Sequence, residues 1–348
     1  MQDVDIKKIE NSKIEISGEI PGDIFENERA NVIRFFSEKA EINGFRKGHI
    51  PENILIKHIG EETILNEMAE RTLQKTYPDI ISKNNIDAIG RPEVIITKIA
   101  PKNPLGFKII TAVMPNVILP DYKKIAASIK EETTEQATDK EIDSVIKEIQ
   151  NARSKTKNQN KDEAEKKEGE INNKDVPPEL TDEFVKTLGK FENVSDFKQK
   201  IRENVTKDKE AKARDKRRMK IAEKIISETN FLLPDVIIDG EVEKMIGKMK
   251  DDISHLGLSW TEYLKHIKKE DGDIKKEIRP EAEKRGKLEI IMEKISEKEN
   301  ILPDQGEVKK QIDIILSQYK EAREENVRIY VESVLKNEAV LKFLESQK

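Results

Sequence analysis

The sequence predicts an α+β domain at the N-terminus followed by an elongated, mostly all-α domain. Three observations carry this. Strand-like alternation of polar and apolar residues is confined to the first 120 positions, and helical periodicity runs through everything beyond Pro177. Of the 348 residues, 38% are charged against 35% hydrophobic and 5% aromatic. A chain of this length can hold two or more domains with cores of their own. The excess of charge suits long, solvated helices better than a compact enzyme body.

The elements follow in order. Lys13 to Ser17 reads Lys-Ile-Glu-Ile-Ser, the alternation of a half-buried strand, and Pro21-Gly22 ends it. Asp23 and Glu26 form an N-cap pair for a helix on which Phe25, Val32 and Phe36 recur at helical spacing. A short loop at 44–51 separates it from a second helical stretch carrying Leu65, Met68, Ala69 and Leu73 on one face. Glu93 to Lys98 and Phe107 to Met114 read as strands, with Pro101 and Pro104 punctuating the turn between them. Helices inserted within a small antiparallel sheet make residues 1–115 the α+β domain.

Beyond Pro120 the strand signal stops. Residues 116–152 form the first segment of the helical domain, where Thr138 and Glu141 give a capping-box pattern ahead of Ile142, Val145, Ile146 and Ile149. From Arg153 to Asp175 there are 7 basic and 6 acidic residues, with only Ala164 and Ile171 on the apolar side. Such a stretch buries too little surface to offset its ordering entropy, so 153–176 reads as a polar linker. Residues 177–348 are helical throughout. A short helix opens at Glu179 and stops near Gly189, and Ser195 caps a long one running towards Asn230. Leu233-Pro234-Asp235 and Leu302-Pro303-Asp304 each place a proline in the first turn of a new helix, which suggests paired helical arms. Met245, Ile246, Met249 and Ile253 line one arm; Ile312, Ile315, Leu316 and Tyr319 line the other.

The loop at 44–51 is the most informative segment. It reads Gly-Phe-Arg-Lys-Gly-His-Ile-Pro. Gly44 and Gly48 permit the positive φ angles of a tight exposed turn, and Pro51 favours the start of a new helix. The tip then presents the Phe45 ring beside Arg46 and Lys47. An isolated Phe-Arg-Lys is by default an ordinary polar turn. A stiff tip carrying one ring and two cations also suits a partner that offers a pocket and negative charge, because Arg46 can form a two-pronged bond.

Most other chemistry is excluded. The sequence contains no cysteine, which removes disulfides, thiolate metal sites and a cysteine nucleophile. His49, His58, His255 and His266 show no metal-ligand spacing, and no phosphate-binding glycine loop or nucleophile elbow occurs. No catalytic residue, metal or cofactor is therefore expected. A net charge of −5 argues against a generally basic nucleic-acid-binding surface. With no apolar signal core and no run of 18 apolar residues, the expectation is a soluble, cytoplasmic protein without membrane contact.

Gly-Phe-Arg-x-Gly-x-x-Pro between two helices closely resembles the ribosome-docking signature of the trigger factor family of bacterial chaperones. The order strand, helix, loop, helix, strand over residues 1–115 resembles that family's ribosome-binding domain. Val176 to Val205, with Pro-Glu-Leu-Thr-Asp-Glu-Phe and Phe-Lys-Gln-Lys-Ile-Arg-Glu-Asn, is similar to the start of its helical chaperone domain, and the Leu-Pro-Asp segments to its arms. The resemblance implies an ATP-independent chaperone that docks on the large ribosomal subunit near the exit tunnel through Gly44, Phe45, Arg46, Lys47 and Gly48. It would shield nascent or unfolded polypeptides there. Family associations with protein export and cell division come with it, and a homodimer stays open.

The resemblance also places client contacts on the inner faces of the arms, which here correspond to Ile291, Met292, Ile315, Tyr319 and Ile329. Apolar residues at helical spacing are more often core, yet sparse anchors among many charges would give the weak, reversible contact that a chaperone requires. Family members usually insert a prolyl isomerase domain of the FK506-binding type ahead of residue 177. Its pocket is lined by aromatic residues, and between Tyr122 and Phe184 this chain has none. The isomerase domain is thus expected to be absent, by natural loss or by deletion. Rival readings are a cytosolic holdase or assembly chaperone independent of the ribosome, an isomerase with an unrecognised site, and a helical scaffold.

Overall fold

A computed structural model describes residues 4–131, 135–159 and 179–347. In chain order the elements are β1 (Asp5–Ile9), β2 (Lys13–Ile20), α1 (Gly22–Glu26), α2 (Arg29–Lys39), α3 (Glu52–Ile59), α4 (Glu61–Lys83), β3 (Ala88–Lys98) and β4 (Leu105–Val113). Then follow α5 (Tyr122–Ser128), α6 (Asp139–Gln159), α7 (Asp182–Lys186), α8 (Val194–Glu228), α9 (Asp235–His255), α10 (Trp260–Ile267), α11 (Asp271–Glu299), α12 (Gln305–Gln318) and α13 (Glu324–Glu345). The chain divides into two compact units, each built from two separated stretches: Met1–Leu119 with Thr229–Glu299, and Pro120–Glu228 with Asn300–Lys348.

In the first unit an antiparallel sheet runs in the order β1-β2-β4-β3. Ile14 and Ile16 of β2 point into the core, as the alternation requires, and meet Leu105, Phe107 and Ile109 of β4. Ile64, Leu65, Met68, Ala69 and Leu73 of α4 complete the same core, joined by Phe25 of α1 and Val32 of α2. These residues are apolar at helical spacing on α4 and at a spacing of two on the strands, so one hydrophobic face serves each. The helix expected from Asp23 is two helices. Asp23 and Glu26 do not cap it: the N-cap is Pro21 with no side-chain bond, and Glu26 instead accepts the Lys102 backbone N–H at 2.6 Å, tethering the turn between β3 and β4. The break falls at Asn27-Glu28, where the buried Glu28 carboxylate takes the Lys75 ammonium at 2.5 Å. β1 carries no alternation because both its faces are exposed, and only its pairing with β2 defines it.

The remainder of this unit is helical. α9 packs along α11, and Gly286 of α11 lets Leu233 approach so closely that an added Cβ would lie 2.7 Å from it. The start of α9 also meets the sheet: the Ser12 hydroxyl donates to the Leu232 carbonyl at 2.9 Å, and Val236 sits against Gly90. Pro234 is the N-cap of α9 and Pro303 precedes the Asp304 cap of α12, so both prolines stand just before the first turn and not within it.

In the second unit, Ile142 and Ile146 of α6 pack with Val185 of α7 and with Phe197 and Ile201 of α8. The expected capping box is present: the Thr138 N–H donates to the Glu141 carboxylate at 2.8 Å, and the Glu141 N–H to the Thr138 hydroxyl at 3.4 Å. α6 continues to Gln159, while the rest of the polar segment assigned to a linker lies outside the described residues. α8 is capped by Asn193, whose side-chain oxygen accepts the Asp196 N–H at 2.9 Å, and not by Ser195, which lies inside the helix. α13 is fastened to α8 by Arg218, which reaches Glu338 at 2.9 Å and Glu345 at 2.8 Å. α12 and α13 form a hairpin closed over Val308, Ile312, Val327 and Val331.

Candidate functional site

The loop between α2 and α3 is built to hold its tip out. Gly44 and Gly48 adopt φ of +89° and +79°, the left-handed conformation anticipated for both. The Phe45 N–H donates to the Ile42 carbonyl at 3.1 Å and the His49 N–H to the Arg46 carbonyl at 3.0 Å, which makes two successive turns. Past the tip, the Gly48 N–H donates to the Ser37 carbonyl at 2.8 Å and the Ile50 N–H to the Ser37 hydroxyl at 3.1 Å. Ser37 and Ile50 are both buried, so the loop is pinned at its base while its middle is solvated.

A second device fixes the helices that carry the loop. The Arg29 guanidinium at the start of α2 donates to Glu52 of α3 at 2.7 Å and grips both carboxylate oxygens of Glu61 of α4, at 2.8 and 3.2 Å. The Glu61 bonds, with Glu52 adding to them, raise the Arg29 pKa further above its already high value. A guanidinium shared by two carboxylates is geometrically demanding, and this one is half-buried, so it orients three helices at once.

At the tip, Phe45 is 40% exposed although nothing in an isolated chain favours a bare ring. Lys47 bonds Glu41 at 2.6 Å with both side chains solvated, a weak pair by its setting. That bond holds the Glu41 carboxyl below its ordinary pKa. Among the described residues the Arg46 guanidinium has no hydrogen-bond or ion-pair partner. An open ring beside an unpaired guanidinium can bury apolar area and form a two-pronged bond to a carboxylate or phosphate. It offers no nucleophile, base or metal ligand, and no group of three or more metal-ligating side chains occurs among the described residues.

These features agree with similarity to known proteins. A family model described as bacterial trigger factor protein matches residues 2–149, and one for the trigger factor C-terminus matches 193–347. The chain belongs to the trigger factor family. Trigger factors of Carboxydothermus hydrogenoformans and Clostridium kluyveri are each 22% identical to it, over 93% of this chain and 92% of the first relative, and 98% of both chains for the second. These alignments span 399 and 426 positions, more than the 348 residues present, so both relatives carry segments without counterpart here. Neither family model covers 150–192, which contains the place where the isomerase domain was expected to be missing. A solved structure of the trigger factor chaperone, reported for promiscuous substrate recognition in folding and assembly, matches with a TM-score of 0.56 and 14% identity over 100% of both chains, so the fold is shared. The function is that of a ribosome-associated chaperone.

The trigger factor residues assigned from sequence are not all gathered in one place. Gly44 to Gly48 form the tip described above. Ile291 and Met292 of α11 are buried within their unit. Ile315 is half-buried within the hairpin, whereas Tyr319 and Ile329 are 65% and 64% exposed. Ser37, Arg29, Glu52 and Glu61 escaped the sequence reading. Nothing distinguishes a serine that ends up under a loop, or one glutamate among the chain's many acidic residues, until the helices are assembled.

Proposed function

We propose that this chain docks on the large ribosomal subunit near the exit tunnel through Phe45, Arg46 and Lys47, and that it shields nascent polypeptides with its helical domain without using ATP. The single observation that carries the docking assignment is the unpaired Arg46 beside the exposed Phe45 on a tip pinned by Ser37. Ring burial and one charge-assisted bond give about 2–4 kcal/mol together, enough for reversible attachment. Arg46 pairs with an acidic group of a ribosomal protein, and Lys47 trades Glu41 for a partner on the same surface.

Client contact falls to the exposed apolar residues of the α12–α13 hairpin, Tyr319 and Ile329 among them. A pair of helices can bury only one face of each, which leaves the other to transient partners. Attachment at the tunnel raises the local client concentration, so weak contacts suffice. On this reading residues 1–115 serve docking, and 116–152 and 177–348 serve client handling, although 229–299 share a compact unit with the docking residues. The protein works in the cytoplasm, and no described helix is long and apolar enough to cross a membrane. It has no isomerase activity. A proline-limited refolding assay with an active control enzyme tests that point, and catalysis would overturn it.

The docking test is cosedimentation with vacant ribosomes at moderate salt, comparing the parent with Phe45→Ala/Arg46→Ala/Lys47→Ala, both verified by circular dichroism. Loss of binding in the variant is expected. Equal binding would remove the tip from the contact, and no binding by either protein would remove the ribosome.

A further inference from the structure

β3 is the outermost strand of its sheet, paired along one side only, with β4. Alternate residues of such a strand turn their backbone N–H and C=O groups outward. Among the described residues nothing bonds to that outer side from Glu93 to Lys98. Proteins normally blunt a long apolar edge, yet here Val94 is 44% exposed and Ile95 is exposed as well. The guarding lies towards the two ends of the strand: Pro92 lacks an N–H, and the register breaks between Ile89 and Glu93 and again between Ile96 and Lys98, which leaves Glu93 to Ile96 as the regular stretch.

A groove of about 740 Å³ runs beside this open edge. Its apolar lining comes from Leu73 of α4 with Val94, Ile96 and Ile109 of the sheet. α4 leads into β3 through the turn at 84–87, so the two elements run back along one another. Arg91 therefore lies at the turn end of the groove, level with Tyr77. Glu70 lies seven residues earlier on α4, about 10 Å away. The groove thus has an apolar middle, a cation at one end and an anion at the other.

We propose that β3 accepts an extended segment of a client chain as a fifth, antiparallel strand. Its backbone pairs along the regular stretch from Glu93 to Ile96, and alternate apolar side chains enter the groove. A basic residue near its N-terminal end meets Glu70, and an acidic residue near its C-terminal end meets Arg91. Backbone pairing supplies an affinity that tolerates many sequences, while the groove and its two charges select among them. The proposal rests on the chaperone reading but concerns a surface distinct from the docking tip and from the α12–α13 hairpin.

The experiment uses the full chain and the peptide acetyl-Lys-Thr-Val-Thr-Ile-Thr-Asp-amide, whose Lys, Val, Ile and Asp share one face when extended, with a copy N-methylated at alternate residues that cannot complete a strand. Anisotropy of the labelled peptide measures affinity, and hydrogen exchange locates the site. Expected are peptide-dependent protection of amides between Glu93 and Ile96, about tenfold weaker binding to Val94→Lys, parent-like binding to Ile95→Lys on the opposite face, and no protection by the N-methylated copy. Equal binding of the N-methylated copy would overturn the proposal, as would protection elsewhere only or no binding at all. Protection of the same amides without peptide, rising with protein concentration, would assign the edge to a second copy of the chain and also overturn it. Ribosome cosedimentation run in parallel separates these failures from failure of the chaperone reading.

Discussion

The Gly48 N–H donates to the Ser37 carbonyl at 2.8 Å, and the hydroxyl of the same serine takes the Ile50 N–H. One buried residue in the last turns of α2 therefore holds the returning limb of the docking loop at two points. Ser37→Ala leaves the Ile50 N–H without its acceptor in a buried place, which costs about 1–3 kcal/mol in urea unfolding. It is expected to weaken ribosome cosedimentation while Phe45, Arg46 and Lys47 are all intact. Unchanged stability and binding would show that the tip holds its shape by other means.

The two glycines of the tip are tested by side chains that differ in their tolerance of the left-handed region. A Cβ at Gly48 would meet only the Glu38 Cγ, at 3.8 Å, and one at Gly44 meets nothing within 4 Å. The cost of Gly48→Ala is thus conformational and amounts to about 1–2 kcal/mol. Gly48→Asn is expected to lose less, since asparagine visits this conformation more readily. Equal losses would mean that space and not φ sets the requirement.

Glu141 gives a pH prediction. The Lys209 ammonium first, then the Thr138 backbone and hydroxyl, pull its pKa down to about 2. A carboxylate depressed in the folded state stabilises it fully above the ordinary value near pH 4.3, and that contribution fades as the pH falls towards 2. An NMR titration of the Glu141 carboxyl should show the low midpoint, and Lys209→Met should move it upward. A midpoint in the ordinary range would remove the pairing between α6 and α8.

Arg218 plays in its cluster the part that Lys209 plays beside Glu141, as the cation between carboxylates. Hydrogen bonds from Arg218 hold the Glu338 carboxyl below its ordinary pKa. Arg218→Met is expected to cost about 2–4 kcal/mol near pH 7, less than a fully buried pair would, because Glu338 is partly solvated. The difference from the parent should shrink in acid, as the pH falls through the depressed pKa of Glu338 and its carboxylate becomes neutral. A penalty independent of pH would make the effect one of packing alone.

What could be read from the sequence was whatever the local pattern determines. The alternation of Ile14 and Ile16, the helical spacing of Leu65 to Leu73, the Thr138–Glu141 box and the glycines at 44 and 48 each act within a few residues. Contacts made at a distance were not legible. Glu26 is a plausible helix cap by its position, but the Lys102 N–H brought near by the sheet is the donor it binds. Ser195 resembles a cap, yet Asn193 stands two residues nearer the turn and takes the role. Ile291 and Met292 carry the same pattern whether a helix faces a groove or a core, and only the assembled structure shows that both are buried.

The division of the chain into two interleaved units has a consequence for its own synthesis. The Ser12–Leu232 bond joins partners 220 residues apart, and Arg218 waits 127 residues for Glu345. At about 5–20 residues per second, roughly 10–45 s pass between the first of these residues leaving the ribosome and the arrival of its partner. Until Leu232 arrives the sheet end around Ser12 and Gly90 is bare, and in a later interval of about 6–25 s at the same rate α8 lacks the carboxylates that neutralise Arg218. A protein that guards unfinished chains is for most of its own translation an unfinished chain, with both units completed only near the end.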